Sequence, residues 1–342
     1  MTMLLPPARG PVTAAVFPAL TAPDAPVLAG IEEQVPVGPA LLGDDDAQLA
    51  LWVLNALHVV AVEGVPDDRE WDPAVQAAHR ALEDRFLAAL RDLTTGVVAA
   101  ALEDEGDVAD RLFALTDQVD GPPVAGHLQR HADATAFQEF LAHRSSYNLR
   151  ESDPQALALP FLDGAPKVAM AELLFDEFGA GRPDRLHSTL FAAAMHAADL
   201  DPAYGGLVDR LPGATLAVPN AMYLLHRRRS LLPAAVGHFG AFEATSSEPS
   251  RRLAAAARRL GFDETVVAYF DEHVEADAVH EQLMFRAVCA PLAVDAAATE
   301  QVFFGAATCL LLEARAGTVL LDAWRDGRSS LLPLPGDERL AS

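Results

Sequence analysis

The chain has 342 residues, 51% of them hydrophobic and 7% aromatic, with a formal net charge of −24 and a single lysine, Lys167. That length buries a substantial core, as one large domain or two modest ones. The acidity excludes a nucleic-acid backbone or an anionic membrane surface as partner, and two cysteines outside any CxxC pair, Cys289 and Cys309, exclude a disulfide framework.

Residues 1–43 are rich in proline and glycine without a sustained period and read as an extended arm. The start, MTMLLPPARGPVTAAVF, lacks the basic-then-apolar layout of a secretory signal, so a cytoplasmic protein is expected. Residues 43–64 open a helix behind an aspartate cluster, which favours a helix N-terminus. Pro73 is placed to begin the next helix, and the apolar period then runs to about Val119 with breaks expected near Asp92–Thr95 and at Gly106. After a loop at 121–127, residues 134–152 read as a helix ending before Pro154. Residues 162–200 are helical at both ends, interrupted by GAGRP (179–183), and 201–213 are a loop.

Residues 215–247 read as one long helix with a break near Pro233 as the alternative, 248–261 as a short helix, and the segment through Val288 as another. Residues 297–324 close the chain, and their apolar core, VFFGAATCLLL (302–312), is too short to span a bilayer. Alanine-rich segments with few β-branched runs and no convincing strand give an all-α bundle of roughly seven to ten helices.

Within YFDEHVEADAVHEQL (269–283), His273, Asp277 and His280 recur at i, i+4 and i+7. At ~100° per residue, Asp277 lies about 40° to one side of His273 and His280 about 20° to the other. The two imidazoles are roughly 10 Å apart along the axis. Metal–ligand bonds of ~2 Å make one ion shared by both awkward, and two ions with Asp277 between them fit better. Alone, the stripe reads equally as a solvated acidic face, since Asp271, Glu272, Glu275 and Glu281 adjoin it.

Two cations need further carboxylates and imidazoles from other helices. Glu151, Glu177, His187 and Glu243 stand out in apolar helical contexts. Glu177 and His187 would be ~15 Å apart on a straight helix, but Gly179, Gly181 and Pro183 between them can break it and fold Glu177 back as a mobile ligand. The paired Glu-x-x-His of ferritin-like sites is only half met, by Asp184–His187 and Asp277–His280. HExxH is absent, which argues against a zinc hydrolase. HRRRS (226–230) reads as a surface turn or, less simply, as an arginine for a substrate carboxylate. Tyr147, Arg150 and His238 lie near ligand positions in sequence.

RESDP (150–154), DEFGAGRPDRLHSTLF (176–191), GHFGAFEATSSEPSRR (237–252) and HVEADAVH (273–280) together resemble the haem-oxygenase-like di-iron oxidases and oxygenases, and the resemblance is strongest over about 150–290. It implies a seven-helix fold over 126–330 that binds two Fe(II) ions and no haem. Glu151, His187, Glu243, His273, Asp277 and His280 match the usual three-carboxylate, three-histidine set, and Glu177 matches an additional carboxylate of N-oxygenating members. The resemblance implies one iron held by Glu151, His187 and His280 and the other by His273, Asp277 and Glu177, with Glu243 between them. Asp184 is left outside the set. ALHVVAVEGVPDDREWDP (56–73) resembles an N-terminal helical extension, so 44–125 is expected as that extension and as a dimerisation layer of a homodimer, with 331–342 a tail.

The implied activity consumes O₂ and electrons from an external donor, a reductase or chemical reductant, to N-oxygenate a small amine, guanidine or N-heterocycle in a biosynthetic pathway. The alternatives are oxidative C–C cleavage or desaturation of an amino or fatty acid at the same centre, and a metal-free binding protein of the same fold.

Overall fold

The computed structural model describes residues 2–22, 28–119 and 121–333, with the side chains of 275–279 outside the described set. Its α-helices are α1 (Pro11–Thr21), α2 (Asp45–Ala56), α3 (Pro73–Glu103), α4 (Val108–Gln118), α5 (Val124–Arg130), α6 (Ala134–Asn148), α7 (Asp153–Ala156) and α8 (Gly164–Glu177). They continue with α9 (His187–Ala197), α10 (Gly213–Arg227), α11 (Leu232–Ala244), α12 (Ser247–Leu260), α13 (Glu264–Gln282), α14 (Ala290–Leu292) and α15 (Ala296–Arg325). The all-α expectation holds, apart from a two-residue parallel pair, β1 (Thr2–Met3) with β2 (Ala61–Val62).

α10 is the axis of the core: every residue from Gly213 to His226 is buried. α11 and α15 cross with their backbones almost touching. A Cβ on Gly237 would stand 2.0 Å from the Val302 carbonyl oxygen, and one on Gly305 1.8 Å from that of Ala234. Among the described residues α15 is the one helix long and apolar enough to cross a membrane, and 67% of its apolar window is buried inside the protein.

The arm expected at residues 1–43 is not extended over Pro11–Thr21. Val12, Val16 and Leu20 form a buried stripe there, and the N-terminus is capped from a distance: Val12 and Thr13 amides donate to the Asp46 carboxylate at 2.7 and 3.0 Å. That cap belongs to α2 and is invisible in the local sequence. α2 is itself locked to α10 by buried amides: Asn55 donates to Asn220 Oδ1 (3.1 Å), and Asn220 donates to Gln48 O and Oε1 (both 2.9 Å).

α3 runs unbroken through Asp92–Thr95, because Thr94 is buried but donates its hydroxyl back to the Leu90 carbonyl at 2.9 Å, satisfying itself inside the helix. The chain does break around Gly106 (φ 131°), after which Asp107 caps α4 through the Ala109 amide. The alternative break in 215–247 falls at Arg228, and Pro233 sits in the first turn of α11. Arg227 and Arg228 of HRRRS each donate to the buried Glu83 of α3 at 2.6 Å, and Arg228 also to Asp84 at 2.7 Å. Arg227 and Arg228 are therefore an internal tie, while Arg229 and Ser230 stay exposed in the expected turn.

His238 is fully buried next to His226, ring centroids 6.1 Å apart, rather than in a cavity. Burial drives His143 and His226 down to about 4 and His238 to about 3 from an ordinary 6.5. Between those values and 6.5 the unfolded chain binds protons that the folded chain refuses, so stability is complete above pH 6.5 and falls as pH falls. Urea unfolding curves at pH 7 and pH 5 are expected to differ by about 2 kcal/mol for each histidine. An unchanged midpoint would mean that these rings charge inside the fold.

Candidate metal centre

Glu151 follows α6 in a turn held by Ser152 in the left-handed region (φ 65°). Glu177 is the last residue of α8. Beyond it Gly179, Ala180 and Gly181 take φ of 82°, 51° and 79°. At Gly179 a Cβ would meet the Arg182 carbonyl oxygen at 2.4 Å, so glycine is required there. This reversal removes the straight-helix separation and returns the chain so that His187, the first residue of α9, puts Nδ1 3.2 Å from Glu177 Oε2. Glu243 comes from the last turn of α11, and His273 and His280 from α13. Directly after His280's helix, Leu283–Cys289 widens into a π-helical turn, a feature frequent at functional sites.

Glu151, His187 and His273 form one buried group whose ligand atoms all lie within 4.8 Å of one another. Glu177, Glu243 and His280 form a second on the same criterion. Six of the seven anticipated residues therefore converge; Asp277 lies outside the described side chains. The grouping corrects the expected one. His273, not His280, accompanies Glu151 and His187, because seven residues of helix carry the two imidazoles to different ends of the site. Glu177 reaches into both groups: Oε2 meets His187, and Oε1 stands 3.6 Å from His280 Nδ1. Glu243 Oε2 pairs with His280 Nδ1 at 3.1 Å. Asp184 is exposed and bound to Arg182, away from the centre.

An outer layer fixes these side chains, and the sequence reading did not name it. Glu151 accepts from Asn148 Nδ2 (2.8 Å) and Tyr269 OH (3.0 Å), and Asn148 also donates to the tyrosine oxygen at 2.7 Å. Ser152 donates to Glu177 Oε2 at 2.8 Å. His273 Nδ1 donates to the Tyr269 carbonyl at 2.8 Å, which leaves Nε2 facing Glu151 Oε1 at 3.6 Å. On the far side of His280, Nε2 lies 3.6 Å from Asp176 Oδ2. Spacing carried a signal for two of these: Asn148 is three residues before Glu151, and Tyr269 extends the 273/277/280 stripe by one turn.

Burial by itself pushes Glu177 and Glu243 up. At Glu177 the hydrogen bond and charge of His187, with His273 and His280 behind it, outweigh burial and hold the group down at about 2. Burial lowers His187, but Glu177 more than offsets this and leaves it raised. Glu243 goes the other way: burial and the negative Glu177 drive it well above the carboxylate range. Three carboxylates crowded with three imidazoles, and no thiolate, make a donor set suited to iron or manganese, and divalent cations would relieve the crowding of negative charge.

Outer partners of metal ligands contribute about 10–100-fold in affinity. Tyr269→Phe keeps the ring but removes the hydroxyl on Glu151, and is expected to weaken metal binding by about 10-fold. Competition with a chelator measures this, and an unchanged affinity would show that Glu151 needs no such support.

A cavity of about 570 Å³ adjoins the centre, with Glu151, Glu177, Glu243 and His273 in its wall and Phe191, Phe242 and Phe270 among its apolar lining. Tyr147 faces it, whereas Arg150 turns away to the Val59 carbonyl and Asp153. Residues 138–314 match the model of a family described as iron-containing redox enzymes. The chain belongs to this family. Its helices therefore form a haem-oxygenase-like fold, and the buried glutamate and histidine groups fit the iron that the family description names. A nitrosourea synthase of Streptomyces achromogenes subsp. streptozoticus is 25% identical over 223 residues, which cover 63% of this chain and 47% of that protein. This iron-containing redox enzyme thus spans under half the length of that relative.

Proposed function

We propose that the chain is a non-haem di-iron, O₂-dependent N-oxygenase of a small nitrogen compound. Glu151, His187 and His273 would hold one iron, and Glu177, Glu243 and His280 the other. Asp277, which its spacing puts on the stripe of His273 and His280, was the remaining expected ligand and lies outside the described side chains. The observation that carries this reading is the position of Glu177, an additional carboxylate folded back by the 179–181 reversal into reach of both His187 and His280. The relative's name supports it, since a nitrosourea contains oxidised nitrogen.

Iron held there would supply the redox chemistry by which one atom of dioxygen passes to nitrogen. The balance is an amine, O₂, two electrons and two protons giving a hydroxylamine and water, so an external donor must return the two electrons. The chain's own residues would hold the metals, with Asn148, Ser152 and Tyr269 orienting Glu151 and Glu177.

Turnover under ¹⁸O₂ tests the reaction by mass spectrometry. Label on the nitrogen of the product is expected. Cleaved or desaturated carbon without labelled nitrogen would instead assign the oxidative C–C or C–H chemistry.

A further inference from the structure

The turn after α6 holds a serine in a backbone conformation that L residues rarely adopt. Ser152 takes φ 65° and ψ −4°. Among the described residues three non-glycines have positive φ, Ser152, Ala180 and Asp199. The first two flank the candidate ligands, Ser152 directly after Glu151 and Ala180 three residues after Glu177. Observed strain of this kind points towards function. Glycine would hold the same turn without it, which leaves the hydroxyl as what a serine adds at this position.

That hydroxyl is not a helix cap. Ser152 stands immediately before α7, where a serine oxygen ordinarily accepts from the first amides, yet its side chain makes no such bond. Its Oγ instead donates to Glu177 Oε2 at 2.8 Å. The same oxygen lies 3.2 Å from His187 Nδ1, while Oε1 lies 3.6 Å from His280 Nδ1. One bond on Oε2 therefore fixes which carboxylate oxygen serves which imidazole. Ser152 and Glu177 are both buried, so water does not compete for it.

The turn is tied in its own right. The buried Tyr147 hydroxyl oxygen accepts from the Ser152 amide at 3.2 Å and from Gln155 Nε2 at 3.0 Å. Its ring stands edge-on to Phe242, centroids 5.4 Å apart, and Phe242 adjoins Glu243 in the chain. Tyr147 thus touches the segments that carry Glu151 and Glu243, and reaches Glu177 through Ser152.

We infer that Ser152 is a positioning residue for Glu177, held in a strained backbone so that its hydroxyl sets the carboxylate across both ligand groups, and that Tyr147 anchors this turn. The inference rests on the reading of those groups as metal-binding and adds the device that orients Glu177. Stability and metal affinity should then part company at position 152, whereas a residue serving the fold alone would move them together.

The parent, Ser152→Gly, Ser152→Ala and Tyr147→Phe chains are compared by thermal melting without metal and by anaerobic Fe(II) binding against a competing chelator. Ser152→Gly is expected to melt at or above the parent, because glycine relieves the positive φ, and Ser152→Ala to melt no higher than the parent. Both should bind Fe(II) about 10-fold more weakly, since both lose the hydroxyl. Tyr147→Phe should melt lower and also bind more weakly, because the Ser152 amide loses its acceptor. Parental affinity in both Ser152 variants would overturn the inference. So would affinity that follows melting temperature, with Ser152→Gly binding like the parent and only Ser152→Ala weakened, or with Ser152→Gly both less stable and weaker. All of these leave the metal reading standing; a parent chain that takes up no Fe(II) would sink that reading and this inference with it.

Discussion

His273→Ala is expected to leave a chain that retains one tightly held iron in place of two. His273 presents Nε2 to Glu151 because Nδ1 is engaged by the Tyr269 carbonyl, so the ring is aimed before a metal arrives. Removing a direct ligand should cost more than the roughly 10–100-fold in affinity that an outer partner contributes. The group of Glu151 and His187 would then hold two side chains where three are needed, while Glu177, Glu243 and His280 are untouched. On the proposed di-iron reading, oxygenase turnover should fall by at least about 100-fold, because that chemistry needs both ions. Iron counted after gel filtration, beside a far-ultraviolet circular dichroism spectrum to show an intact fold, checks the effect. Two irons retained would remove His273 from the ligand set.

Gly305→Ala is the largest effect expected on stability. The added Cβ would stand 1.8 Å from the Ala234 carbonyl oxygen and 2.6 Å from its carbon, both backbone atoms of α11. No side-chain rotation relieves such a contact, so α15 and α11 must separate along a crossing where Gly237 meets Val302 just as closely. Overpacking of a core costs about 1–3 kcal/mol when side chains can adjust, and here about 3 kcal/mol or more is expected, lowering the melting temperature by about 4 °C or more. Because α11 carries Glu243, iron affinity should fall with it. A variant within about 1 kcal/mol of the parent would mean that the crossing yields far more easily than the backbone contact implies.

The all-α class and the residues of the centre were legible where periodicity and chemistry coincide. His273 and His280 share a helix face by spacing alone, and the glycines between Glu177 and His187 announced a break that the positive φ angles of Gly179 and Gly181 bear out. What spacing did not convey was which ligand stands beside which. The imidazoles at opposite ends of one stripe join different groups, and Glu177 reaches both.

Features governed by distant partners were the least visible. α1 is capped by Asp46, thirty-four residues from Val12, so a local reading of prolines and glycines missed the helix. α3 continues through Asp92–Thr95 because a threonine hydroxyl satisfies itself on the preceding turn, where polarity alone suggested a gap. HRRRS looked like a surface turn because nothing in its own neighbourhood revealed Glu83, 144 residues earlier in the chain than Arg227.

Anaerobic titration of the metal-free chain with Fe(II) goes most directly to the convergence of these side chains on a pair of irons. Saturation at two equivalents per chain is expected. Saturation at one equivalent, or no binding above a Glu151→Ala, Glu243→Ala double variant, would contradict a di-iron centre built from these residues.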